Sequence, residues 1–122
     1  MRTAMLTMVL ICAVFSINAF AADMLPLKQG IYVPDDRPCK SASNSEIVSY
    51  WGGDDSLGSQ RTTCKITKMT RKGNVFTIAA KCQDDWTGSE IVGGPTVVTI
   101  NSQTSFIRDN ETYRYSGPKM QF

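Results

Sequence analysis

An all-β domain, built as a small antiparallel barrel or sandwich of seven to eight short strands, is what this sequence predicts. Three observations carry that expectation. Turn-forming clusters recur about every ten residues from Pro34 onward. The segments between them are short and rich in Val, Ile, Thr, Tyr and Phe. No apolar stripe at helical spacing continues beyond a single turn.

Residues 1–21 read as a cleaved secretory signal. Arg2 supplies the positive start, residues 4–17 form an apolar run, and Ala19-Phe20-Ala21 offers small residues for cleavage. The run is shorter than the roughly 20 residues a spanning helix needs. Cys12 follows Val9-Leu10-Ile11 rather than the small residue a lipid-attachment site requires, so no membrane anchor is expected after cleavage. The predicted product is a single β domain over residues 22–122, close to neutral once Arg2 has left.

Within that domain the strand signals fall at residues 29–33, 46–51, 62–71, 74–81, 90–92, 96–101, 104–108 and 111–115. Between them lie Pro34-Asp35-Asp36, Gly52-Gly53-Asp54-Asp55, Gly73-Asn74, Gly93-Gly94-Pro95, Asn101-Ser102 and Asp109-Asn110, all turn formers. Residues 41–48 are expected to hold one helical turn, with Ser43 or Asn44 as cap and Glu46 following. A hairpin centred on Gly73 sets Cys64 opposite Cys82 and turns Ile66, Phe76, Ile78 and Ala80 to the same side. A flat meander would leave edges and an apolar face in water, so closure is expected.

Export leaves three thiols, Cys39, Cys64 and Cys82, in a compartment where disulfides persist. One bridge and one leftover thiol is the simplest arrangement. Loop-closure entropy does not choose the pair, since the three options differ by less than about 1 kcal/mol. Hairpin geometry allows Cys64 with Cys82, and Cys39 can reach either by a loop. No metal site is expected, because zinc usually takes four closely spaced ligands.

Composition removes several function classes. The chain has no histidine, which excludes Ser-His-Asp and Cys-His nucleophile pairs and His-bearing zinc sites. A net charge of +2 falls short of a nucleic-acid footprint. Lys65, Lys68, Arg71, Lys72 and Lys81 place most of the positive charge on the central hairpin, as solvated strand faces with aggregation-deterring edge lysines or as contacts to an anionic envelope partner.

The run Leu25-Pro26-Leu27-Lys28-Gln29-Gly30-Ile31-Tyr32-Val33, then Pro38-Cys39, then the Cys64…Gly73-Asn74…Cys82 hairpin, resembles small exported proteobacterial proteins of uncharacterised function. Some of those carry a further cysteine near a closing Tyr-Arg-Tyr, whereas here Tyr113-Arg114-Tyr115 is followed by Ser116, which would orphan one thiol. In size and all-β form the chain is also similar to bacterial periplasmic inhibitors of lysozyme, in which a loop bearing Ser and Tyr plugs the enzyme's cleft. That second likeness is architectural, and function does not follow from it.

The candidate binding residues are Tyr50, Trp51 and Trp86. Tyr50 and Trp51 are strand neighbours and point to opposite faces, so at most one of them is core, and Trp86 is a large aromatic in a polar loop. Asp35-Asp36, Asp54-Asp55 and Asp84-Asp85 read as turn formers. Their other readings are calcium ligands without EF-hand spacing, or a carboxylate pair in a cleft larger than so small a domain usually builds. No catalytic residue and no cofactor is expected. The sequence therefore points to an exported, periplasmic or secreted, non-enzymatic binding protein, with inhibition of an envelope-acting hydrolase such as lysozyme as the most concrete version and an envelope or host protein as partner. A structural or ligand-binding envelope component is the alternative, and a small carboxylate-based hydrolase stands third.

Overall fold

The computed structural model describes residues 23–43 and 45–119. The expected signal segment, 1–21, and the expected cap Asn44 lie outside the described residues. Each strand signal has its strand: β1 (Gly30–Pro34), β2 (Val48–Tyr50), β3 (Thr62–Lys72), β4 (Val75–Asp84), β5 (Glu90–Ile91), β6 (Thr96–Ser102), β7 (Ser105–Arg108) and β8 (Glu111–Gly117). They form one antiparallel, curled sheet in the order β2-β1-β8-β7-β6-β4-β3, with β5 paired to β4 off this path. The protein is all-β.

The helical turn expected over 41–48 lies elsewhere. Among the described residues a single 3-10 turn occurs, at Cys39–Ser41. At Glu46 the main-chain N–H donates to the Ser43 carbonyl (2.9 Å) and the carboxylate accepts from the Ser43 hydroxyl (2.9 Å). Ser43 thus closes a tight turn rather than capping a helix, because the chain must enter β2 within two residues.

The two edges of the sheet are tied through residues 54–59. Ser49 on β2 bridges Gly58, whose carbonyl accepts its N–H at 2.9 Å, and Asp55 bridges Lys65 on β3. Ser56 N–H donates to the Cys64 carbonyl (3.1 Å) and Ile66 N–H to the Asp54 carbonyl (2.7 Å). A loop therefore does the work of a closing strand and satisfies backbone groups that an open edge would expose. Gly58 is needed there, since a Cβ at this position would sit 2.4 Å from the Thr62 carbonyl oxygen.

Inside the curl lie Tyr32, Tyr50, Leu57, Ile66, Phe76, Ile78, Val98, Ile100, Phe106 and Tyr113. The preceding segment caps one end: Leu25 and Leu27 are buried, and Met24 N–H donates to the Gly53 carbonyl (2.9 Å). Tyr32 packs against Phe106 (5.3 Å between ring centroids) and donates its hydroxyl proton to the Lys28 carbonyl (2.6 Å). A second cluster, Ile31, Val33 and Ile47 with Cys39 and Ala42, covers the opposite face of β1. Alternation along β1 explains both clusters, as Tyr32 faces in while its neighbours face out.

The β3–β4 hairpin turns on two residues, Gly73 and Asn74, because Lys72 pairs with Val75. That register alone would put Cys64 opposite Gln83. A bulge between Ile66 and Lys68 shifts it by one and sets Cys64 opposite Cys82, where the two form a disulfide with Cα atoms 4.0 Å apart. The Thr67 hydroxyl donates to the Ala79 carbonyl across the bulge (3.2 Å). The expected Cys64–Cys82 facing thus arises from a two-residue turn plus a bulge, and Cys39 is the free thiol among the described residues.

Two outcomes follow from this architecture. Denatured but unreduced chain trimmed to residues 22–122, which lacks Cys12, should take up one alkylating group, at Cys39, and reduction should cost about 3 kcal/mol of stability, read by urea unfolding with and without reductant. Gly58→Ala should lower the melting temperature by several degrees, equivalent to about 1–3 kcal/mol of overpacking. Gly93→Ala, where an added Cβ meets nothing within 4 Å, should leave it unchanged.

Candidate functional site

The seam between β2 and β3 carries the site. Tyr50, the last residue of β2, faces inward and is 0% exposed, its hydroxyl donating to the Leu25 carbonyl at 3.0 Å. Trp51 therefore turns outward and is 54% exposed. Beyond it the chain reverses through Gly52 and Gly53, both at positive φ (83° and 57°). The Asp55 carboxylate reaches back to accept the Trp51 N–H at 2.7 Å, and Asp23 accepts the Gly53 N–H at 2.8 Å. Trp51 thus stands on a tied loop.

Trp86 is held in the same way on the loop between β4 and β5. Asp84 accepts the N–H groups of Trp86 (2.8 Å) and Thr87 (3.2 Å) and pairs with the Arg61 guanidinium (2.8 Å). Arg61 lies over the Trp86 ring, 4.3 Å from its centroid, yet the ring is still 76% exposed. Asp85 N–H donates to the Arg61 carbonyl (2.7 Å), and its carboxylate accepts from the Thr63 hydroxyl (2.7 Å).

A groove of about 420 Å³ follows the seam. Trp51, Asp54, Asp55, Gln60, Lys65 and Asp85 line it together with Ser49 and Thr62, over a floor that includes Ile31 and Ile47. Of the residues singled out from sequence, Trp51 lines the groove; Trp86 does not, though it follows lining Asp85 in the chain and stacks on Arg61, which lies between lining Gln60 and Thr62. Tyr50 belongs to the core and is not part of this surface. Ser49, Gln60 and Thr62 carried no sequence signal, because only closure of the seam brings β2 and the start of β3 together.

The carboxylates here are engaged in building loops. Desolvation pushes the Asp55 carboxyl above its usual range, against main-chain N–H groups of Trp51 and Leu57 and the charge of Lys65. Asp84 moves the other way. Some desolvation opposes the shift, but the N–H donors of Trp86 and Thr87 and the Arg61 guanidinium hold it below the ordinary value. Asp54 pairs loosely with Lys65 (3.4 Å) at the surface. Asp36 pairs with Arg37 (2.7 Å), away from the groove. Among the described residues no three acidic or cysteine side chains converge as metal ligands. Cys39 lies apart from the groove, its sulfur accepting from Arg114 (3.1 Å); hydrogen bonds from Ser116 and Arg114 pull its thiol pKa down.

The raised Asp55 carboxyl gives a pH signature. A carboxyl whose pKa is higher folded than unfolded binds its proton more tightly in the fold, so its stabilisation is greatest in acid and declines as pH rises from the ordinary carboxylate range through the folded value. Asp55→Asn keeps an oxygen for the Trp51 N–H and removes that titration. Relative to the variant, the wild type should lose stability between acid and neutral pH, measured by urea unfolding across the series. Parallel curves would show that Asp55 is not buried against charge.

No family model matches this chain, and comparison with curated proteins and with solved structures found no match.

Proposed function

We propose that this is an exported, non-enzymatic binding protein that captures an envelope or host protein through the face bearing Trp51 and Trp86, and that inhibition of an envelope-acting hydrolase such as lysozyme is its role. The observation that carries this reading is the pair of outward-facing tryptophans, each on a loop whose main chain is tied down by an Asp carboxylate. Tryptophan brings a large contact area, and interface energy concentrates in such residues. Because the loops are already ordered, little conformational entropy remains to be lost on association. The groove carboxylates make structural contacts, Asp55 with a main-chain N–H, Asp85 with Thr63 and Asp54 with Lys65, which supports a role in shaping the loops. The Cys64–Cys82 disulfide is in keeping with a periplasmic or secreted protein.

Cell-wall lysis by lysozyme in the presence of the exported chain tests this, alongside capture of envelope proteins on the immobilised chain. Trp51→Ala and Trp86→Ala should each weaken inhibition or capture by about thirtyfold, equivalent to about 2 kcal/mol. Asp54→Asn should change it by less than about fivefold, since an exposed carboxylate contributes under 1 kcal/mol. Absence of both inhibition and specific capture, or full activity in both tryptophan variants, would overturn the proposal.

A further inference from the structure

The outer face of the β3–β4 hairpin carries a second surface, which adjoins the tryptophan groove and shares Lys65 with it. Residues 62–81 contain five cations, Lys65, Lys68, Arg71, Lys72 and Lys81, and no acidic residue, in a chain whose net charge is only +2. Strand alternation would send Lys65 and Lys68 to opposite faces. The bulge between Ile66 and Lys68 reverses the parity, so that Met69 turns toward the core while Lys65, Lys68 and Lys72 all face outward. Lys81 on β4 stands directly opposite Lys65, and Lys68 is opposite the small Ala79 two residues further along. Arg71 is spent differently, lying over the Phe76 ring at 4.8 Å.

Like charges directly opposite each other on paired strands destabilise a sheet. Edge protection accounts for lysines on β3 but not for Lys81, because β4 is an interior strand paired with β3, β5 and β6. Among the described residues Lys68, Lys72 and Lys81 have no carboxylate within ion-pair distance, and Lys65 has only the exposed Asp54 at 3.4 Å. The nearest acids are Asp84, at the end of β4 and tied to Arg61, Asp85 just after it and tied to Thr63, and Glu90 on β5, which lines a shallow recess with Lys65 and Lys81 without pairing with either.

We propose that this lysine face docks the protein on an anionic phospholipid surface. Four ammonium groups on flexible stems, with Thr70, Thr77 and Ala79 between them and no aromatic ring on the face, suit an array of phosphate headgroups. Lysine acts toward phosphate as a mobile point charge, whereas a fixed carboxylate partner favours the arginine fork and a sugar favours an aromatic platform. Docking through Lys68, Lys72 and Lys81, none of which lines the groove, leaves Trp51 and Trp86 to a different ligand.

Co-sedimentation with vesicles of phosphatidylcholine alone, or of phosphatidylcholine doped with phosphatidylglycerol, tests the proposal. The exported chain should bind only the doped vesicles and release as salt rises. Lys68→Gln/Lys72→Gln/Lys81→Gln should weaken binding about a hundredfold, at roughly fivefold per lysine near an anionic surface. The charge-matched Lys28→Gln/Lys40→Gln/Lys119→Gln should weaken it less than about fivefold, and Trp51→Ala/Trp86→Ala should leave it unchanged. Should the first triple variant fail to fold, Lys72→Gln and Lys81→Gln singly, each about fivefold weaker, make the same comparison. Equal losses in the two charge-matched variants, binding to undoped vesicles, or retention by polyphosphate or duplex DNA without vesicle binding would overturn it.

Discussion

One extra residue in one strand organises much of this molecule. The hairpin turn fixes the pairing of β3 with β4 near its tip, and the bulge at Thr67 corrects that pairing by one position further down. Three arrangements depend on the correction. Cys64 meets Cys82; Ile66 and Met69 both pack toward the core although three residues apart; and Lys65 pairs with the closing loop at Asp55. A strand without the bulge would satisfy either the turn or the disulfide, and the Thr67 hydroxyl on the Ala79 carbonyl holds the compromise in place.

Closure by a loop rather than by a strand shapes the surface in turn. A regular strand over residues 54–59 would have alternated its side chains and left a smooth wall. The loop instead spends its carbonyls and N–H groups on both edges and leaves a groove above the seam. The Asp residues that tie it also stiffen the neighbouring tryptophans, so the polar and aromatic parts of the face are one construction. Where Asp84 anchors Trp86, its interactions with two N–H groups and Arg61 make the loop a compact unit on top of β4.

Strand positions were legible because turn chemistry punctuates the chain, and all eight appear within a few residues of where Gly, Pro, Asn and Asp place the breaks. The bulge was not read, although its trace is in the sequence: Cys64 and Ile66 keep a period of two, and the next large apolar residue, Met69, breaks it. Adjacent aromatics posed a different problem. Tyr50 and Trp51 are equally suited to a core, and which one enters it is decided by the pairing of β2 with β1, where Gly30 meets Tyr50. A Cβ at Gly30 would lie 2.5 Å from the Gly117 carbonyl oxygen and from the Tyr115 ring, so this corner admits no other residue without rearrangement. The groove residues Ser49, Gln60 and Thr62 were invisible because nothing local marks them; tertiary closure alone makes them neighbours.

Cys39 packs with Ile31, Val33 and Ile47 on the outer face of β1, while Cys64 and Cys82 face inward beside Ile78. A layer of sheet separates the lone sulfur from the bridge. Thiol–disulfide exchange requires a thiolate to approach a bridged sulfur directly, and hydrogen bonds from Arg114 and Ser116 make Cys39 more thiolate-like than an ordinary cysteine. The folded sheet therefore keeps a reactive sulfur and its potential target on opposite faces.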